Sequence, residues 1–144
     1  MMSARLHTQL TENPLSVEAA HHFCSDPAAG GVVVFTGTVR NHSEGEAVNG
    51  LTYESYAERA EEQLRALADE VARREPSALA VWLEHRVGVL ALGEAAVVVA
   101  VATPHRAEAF EAAHWAIDTL KATVAIWKQE HWAAGGASWP GVPC

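Results

Sequence analysis

The longest apolar run of this chain, Ala95 to Ala102 (AAVVVAVA), restricts its fold more than any other stretch. It falls far short of the ~20 residues a membrane helix needs. Its valine content instead marks Ala95 to Thr103 as a buried strand. Gly31 to Val39 (GVVVFTGTV) is β-branched and aromatic and reads as a second, largely buried strand. Gly37 sits late in that strand, which predicts a bulge or a close backbone approach.

The other segments arrange themselves around these two. Arg5 to Leu10 alternates weakly and is expected to be a first strand. Pro14-Leu15-Ser16 sets up a short helix ending near Ser25, with Ser16 as N-cap and Glu18 in its first turn. Arg40 to Glu46 reads as a polar, mobile loop, and Leu51 to Tyr56 as a strand. Ala57 to Arg74 is the clearest helix: Ala60, Leu64, Leu67, Ala68 and Val71 recur at helical spacing, and Pro76 stops it. Leu79 to Val87 alternates as a strand, and Leu90 to Glu94 is a turn. Thr103-Pro104 is expected to open a further helix, with Thr103 as N-cap and Phe110, Ala113, Ile117 and Leu120 as its buried stripe. Val124 to Glu130 reads as the last strand, before a Gly/Ala/Pro-rich tail. From Leu51 onward the order is β-α-β-β-α-β. This predicts one α+β domain over residues 1–144, with helices on one face of a mainly antiparallel sheet.

Composition narrows the function. A net charge of −8 argues against a nucleic-acid binder, which would carry a basic face, although it leaves room for a small basic pocket. The two cysteines, Cys24 and Cys144, form no CxxC and no disulfide framework, so a reducing cytoplasm is the simplest home. The N-terminus lacks the charged-then-apolar pattern of a signal peptide. There is no HExxH and no Cys/His cluster, so no metal site is expected.

The stretch Pro104 to Glu130 concentrates the candidate chemistry. It holds both lysines of the chain, Lys121 and Lys128, while the other eight basic residues are arginine. A lysine can lose its proton when desolvated and an arginine effectively cannot, so two lysines here suit acid/base or nucleophilic work. His105 and Arg106 stand at a helix start, where unpaired N–H groups and the dipole favour an anion such as phosphate. Arg40 leaves the Gly31–Val39 strand as a further cation. Each also has a plain reading: solvated helix-start residues, two surface lysines close by chance, an ordinary edge charge.

Together these pieces resemble the catalytic (large) subunit family of molybdopterin synthase. The resemblance rests on Val34-Phe35-Thr36-Gly37-Thr38-Val39-Arg40 and Leu51-Thr52-Tyr53-Glu54-Ser55-Tyr56, then His85-Arg86-Val87-Gly88 with Gly93-Glu94. It continues through Pro104-His105-Arg106 with Ala109-Phe110, then Asp118, Leu120-Lys121 and Ile126-Trp127-Lys128-Gln129-Glu130. It implies an α/β-hammerhead fold and a homodimer within a heterotetramer. The partner would be a small ubiquitin-like sulfur carrier with a C-terminal Gly-Gly thiocarboxylate. The implied reaction transfers two sulfurs onto cyclic pyranopterin monophosphate to make the molybdopterin dithiolene, with no cofactor or metal.

Carried over by motif, Lys121 and Lys128 would be the catalytic amines. Thr38, Val39, Arg40, His105 and Arg106 would bind substrate, with Gln129 and Glu130 lining the same pocket. The chain departs from the family pattern at Ala125, usually proline, at Gln129, usually basic, and in a short tail after Trp139. Two other functions remain open: a non-catalytic anion-binding module using Arg40, His105 and Arg106, and a structural partner that only docks the carrier through its tail and tryptophans.

Overall fold

The computed structural model describes residues 3–139. Cys144 and the end of the tail lie outside those residues. The elements run β1 (Arg5–Thr11), α1 (Val17–Cys24), β2 (Gly31–Thr38), β3 (His42–Ser43), β4 (Glu46–Ser55), α2 (Ala57–Arg74), β5 (Ala80–Arg86), β6 (Gly88–Ala91), β7 (Ala95–Thr103), α3 (Arg106–Thr123), β8 (Ile126–Trp132) and β9 (Ala137–Ser138). They form two sheets rather than one. The first has the order β1-β5-β7-β2; the second has the order β3-β4-β8-β9, with β6 on β4. All pairs are antiparallel except β1 with β5. No described helix is long and apolar enough to cross a membrane.

Both faces of the first sheet are covered, which is why β7 is apolar from Ala95 to Ala102 and β5 from Ala80 to Leu83. On one face Val81, Leu83, Val97, Val99 and Val101 pack with Leu64 and Val71 of α2 and Ile117 and Leu120 of α3. On the other, Ala80, Trp82, Val98, Ala100 and Ala102 meet Ala20 and Cys24 of α1. The expectation that all helices share one face therefore holds for α2 and α3, while α1 lies opposite. Burial pushes the Cys24 thiol up to about 11, so it sits there as a small apolar side chain.

The local expectations hold in most places. Ser16 Oγ accepts from the Ala19 N–H at 3.0 Å, so it caps α1. Ala60, Leu64, Leu67, Ala68 and Val71 are buried, as their spacing requires. The β2–β7 register shifts between Gly37 and Thr38, and a Cβ on Gly37 would lie 2.7 Å from a Val97 methyl. Gly37 thus serves both the bulge and the close approach.

Five expectations are corrected. The polar stretch after Arg40 is a hairpin rather than a loop. His42 and Ser43 pair with Ala47 and Glu46 across the two-residue turn Glu44-Gly45, both at positive φ. Leu90 belongs to strand β6, and β4 begins five residues before Leu51. Thr103 is not the cap of α3: it still pairs with Gly31 in the sheet, so the helix starts at Arg106 behind His105. Phe110 is 61% exposed, and Ala109, Ala112, Ala113 and Ala116 form the buried face instead. Those alanines let α3 lie close to the valine-rich sheet, which leaves no room for a ring.

Candidate active site

The strand β8 supplies the first wall. In its pleat Ile126, Lys128 and Glu130 share one face. Tyr53 and Leu51 of β4 stand directly opposite Lys128 and Glu130. Directly paired residues on one face of an antiparallel pair are near neighbours. The last turn of α3 adds Lys121, at the helix end where the dipole favours a cation. The bulged end of β2 brings Thr38 and Arg40, and the β3–β4 hairpin brings His42, Ser43 and Val48. All of these side chains except Ile126 line one cavity of about 360 Å3.

Arg40 is held there by a knot of backbone and side-chain bonds. The Val39 N–H donates to the Glu94 carbonyl at 3.0 Å, and the Gly93 N–H donates to the Val39 carbonyl at 2.9 Å. Glu94 in turn accepts from the Ala91 N–H and from Arg86, both at 2.7 Å. The Ala91 N–H and then Arg86 hold its carboxyl below the usual range. The motif residues Arg86, Gly93 and Glu94 thus position the exit of β2.

Beneath the cavity lies His85, only 2% exposed. Its Nδ1–H donates to the Arg86 carbonyl at 2.7 Å, and the Tyr53 ring meets it edge-on with centroids 4.9 Å apart. Burial, and to a smaller extent the Lys121 charge, pushes its pKa down to about 4. The imidazole is therefore neutral at physiological pH.

Of the residues singled out in the sequence, Thr38, Arg40, Lys121, Lys128 and Glu130 converge on this cavity. Val39 is next to it, but its side chain is in the core. Gln129 points to the other face of β8, opposite Thr52. His105 and Arg106 are exposed at the far end of α3. Fifteen residues separate Arg106 from Lys121, about 22 Å along the axis at the helical rise. One copy of the chain therefore does not bring its two clusters of cations together. Among the described residues, no group of three or more His, Cys, Asp and Glu is placed to hold a metal ion.

Sequence reasoning missed five walls: His42, Ser43, Val48, Leu51 and Tyr53. Leu51 and Tyr53 were within reach, since alternation puts them on one face of a strand already recognised. His42 and Ser43 were hidden because Glu44-Gly45 lacks the Asn or Asp that usually announces a two-residue hairpin turn.

Comparison with known proteins sets this geometry beside a family. A family model described as MoaE protein matches residues 10–123. The molybdopterin synthase catalytic subunit of Nostoc sp. is 42% identical over 90% of this chain and 79% of its own length. The molybdopterin synthase catalytic subunit 1 of Mycobacterium tuberculosis is 42% identical over 94% of this chain and 90% of its own. Among solved structures, the molybdopterin synthase of Staphylococcus aureus superposes with a TM-score of 0.83 at 35% identity, over 98% of each chain. A Helicobacter pylori chain, solved as a complex of subunits 1 and 2 of molybdopterin-converting factor, shares the fold at 16% identity and a TM-score of 0.73, over 94% of this chain and 90% of its own.

Proposed function

The chain belongs to the MoaE protein family, and from that premise we propose that it is the catalytic subunit of a molybdopterin synthase working in the cytoplasm as one domain. It is a sulfurtransferase that moves two sulfurs from the Gly-Gly thiocarboxylate of a small ubiquitin-like carrier onto cyclic pyranopterin monophosphate. The observation that carries this reading is the cavity itself: both lysines of an acidic, otherwise arginine-only chain line it, beside Arg40.

The chemistry suits that arrangement. The substrate phosphate and the carrier tail are both anions, so a cationic cavity on an acidic body draws them to one place. One lysine ammonium polarises the thiocarboxylate carbonyl or stabilises the oxyanion that develops on it. The other carries protons as sulfur attacks and the cyclic phosphate opens. Arg40 holds the phosphate, with Thr38 and Glu130 beside it. His105 and Arg106 take part from a second copy of the chain, since about 22 Å separates them from the lysines of their own. The working unit is accordingly a homodimer of this chain with two carriers.

A single-turnover assay with thiocarboxylated carrier and cyclic pyranopterin monophosphate tests the reading. Lys121→Ala and Lys128→Ala are each expected to lower dithiolene formation by about 100-fold or more. Lys128→Arg, which keeps the charge but cannot give up its proton, should stay low. Wild-type rates in both alanine variants would leave only a binding role.

A further inference from the structure

His85 belongs to the first sheet and touches the wall of a cavity built mainly by the second. It lines no part of the cavity itself, yet one of the residues that do is against it and a second acts on it through its charge. Tyr53 of β4 packs edge-on against its ring. Lys121 of α3 is near enough for its charge to oppose protonation of the imidazole. The strand neighbours of His85, Leu10 on β1 and Val97 on β7, carry no charge. Arg86, the next residue, is turned to Glu94 and to the Glu12 carbonyl. Glu84, the previous one, lies on the opposite face and pairs with His7.

A buried imidazole that served packing alone could be replaced by leucine or phenylalanine of similar volume at little cost. His85 is instead held in one tautomer and one orientation. The Arg86 carbonyl can only accept, so Nδ1 carries the proton and Nε2 keeps its lone pair. The second nitrogen is therefore an acceptor inside the fold, on a ring that Tyr53 meets edge-on. Groups in this relation to a working side chain set its orientation and its electrostatic surroundings, and their loss commonly costs ten- to a hundredfold in activity at metal sites.

We propose that His85 is a positioning residue: an imidazole, locked in one tautomer by its bond to the Arg86 carbonyl, that fixes Tyr53 in the cavity wall and sets the electrostatic surroundings of the Lys121 amine. The proposal rests on the reading of Lys121 as a working amine. His85 touches neither substrate nor carrier.

Two arms test it. The first follows the His85 Cε1–H resonance against pH in wild type, Lys121→Gln and Lys128→Gln. Coupling between two charges is reciprocal, so removing the Lys121 charge should raise the His85 midpoint by about half a unit. Lys128→Gln should move it less. This arm uses surface substitutions that leave the core intact and needs no turnover. An unchanged midpoint in Lys121→Gln, or an equal change in both variants, would overturn the proposal.

The second arm compares His85→Phe, which keeps a ring against Tyr53 but loses the donor, with His85→Asn, which can still donate to the Arg86 carbonyl. Single-turnover rates at saturating substrate should fall about tenfold in His85→Phe and recover in part in His85→Asn, with half-saturation unchanged. Wild-type rates in folded His85→Phe, or a loss matched by the unfolded fraction, would equally overturn it. Coupling in the first arm without product from the wild type would sink the synthase reading and leave the His85–Lys121 arrangement standing.

Discussion

In the first sheet every residue of β7 beyond Ala95 is buried, and β5 is buried as far as His85. In the second, β8 buries only Ile126 and Glu130, and β4 is buried at scattered positions, with its register to β8 broken between Val48 and Gly50. One sheet is closed on both faces by helices; the other turns a polar face into an open cavity. The contrast separates support from chemistry. Side chains that must stay accessible and charged are not compatible with a strand covered on both faces. The cations accordingly sit where no strand is covered on both faces: Lys128 on the second sheet, Lys121 in the last turn of α3 and Arg40 beyond the end of β2.

This division can be broken from either side. Leu83→Ala, in the middle of β5 and fully buried, should cost about 2–5 kcal/mol of stability, read from a urea midpoint. The sulfur-transfer rate per folded molecule should be unchanged. A rate loss exceeding the folded fraction would show that the first sheet does more than support.

The acid response probes the seam between the sheets. The folded His85 imidazole titrates near 4 against an ordinary value of 6.5. As pH falls, the unfolded chain therefore takes up this proton first. The folded state loses stability from about pH 6.5 down to about 4 and no further below, a contribution on the order of 3 kcal/mol. Asp26 and Glu94 have lowered carboxyl values and lose their contributions only at the acid end of this range and below. Urea midpoints at intervals across that range, for wild type and His85→Asn, check the point. An identical slope in both would remove His85 from the acid response.

The smallest effect lies where the second sheet is tied to the helices. The Gln63 side chain on α2 donates to the Thr123 carbonyl at 3.0 Å and accepts from the Ala125 N–H at 2.8 Å. Gln63→Ala should cost about 1–2 kcal/mol and lower turnover modestly, since this turn carries Lys121 on one side and Lys128 on the other. Unchanged stability would mean that the clamp does not hold the turn. The bond needs the Ala125 N–H, which a proline at this position would lack.

The same contrast explains what the sequence could tell. The first sheet and its two long helices were legible because burial on both faces leaves an apolar run or a helical stripe that little else imitates. The second sheet was only half legible. Strand β6 and the start of β4 mix Gly, Asn and Glu with apolar residues, and β3 and β9 are two residues each. Their pairing comes from tertiary context rather than local propensity. Helical spacing puts Phe110 in one stripe with Ala113, Ile117 and Leu120; those three are buried, and Phe110 alone of the stripe is exposed. In the site, Lys121 and Lys128 stood out by residue type and Arg40 by its place at the exit of a strand. His85 did not, because a lone histidine in a strand looks like any other polar interruption until its burial is known.

The parallel pairing of β1 with β5 has a consequence for the newly made chain. Arg5 is made before its partner Ala80, which emerges only after α2 is complete. Strand β1 must therefore wait for β5, and its contacts, among the most distant in sequence, close late. Until then β5 presents an unpaired and strongly apolar edge. The time between synthesis of β5 and docking of β1 is the interval in which this protein is most exposed to aggregation, and helpers that bind extended apolar strands would act there.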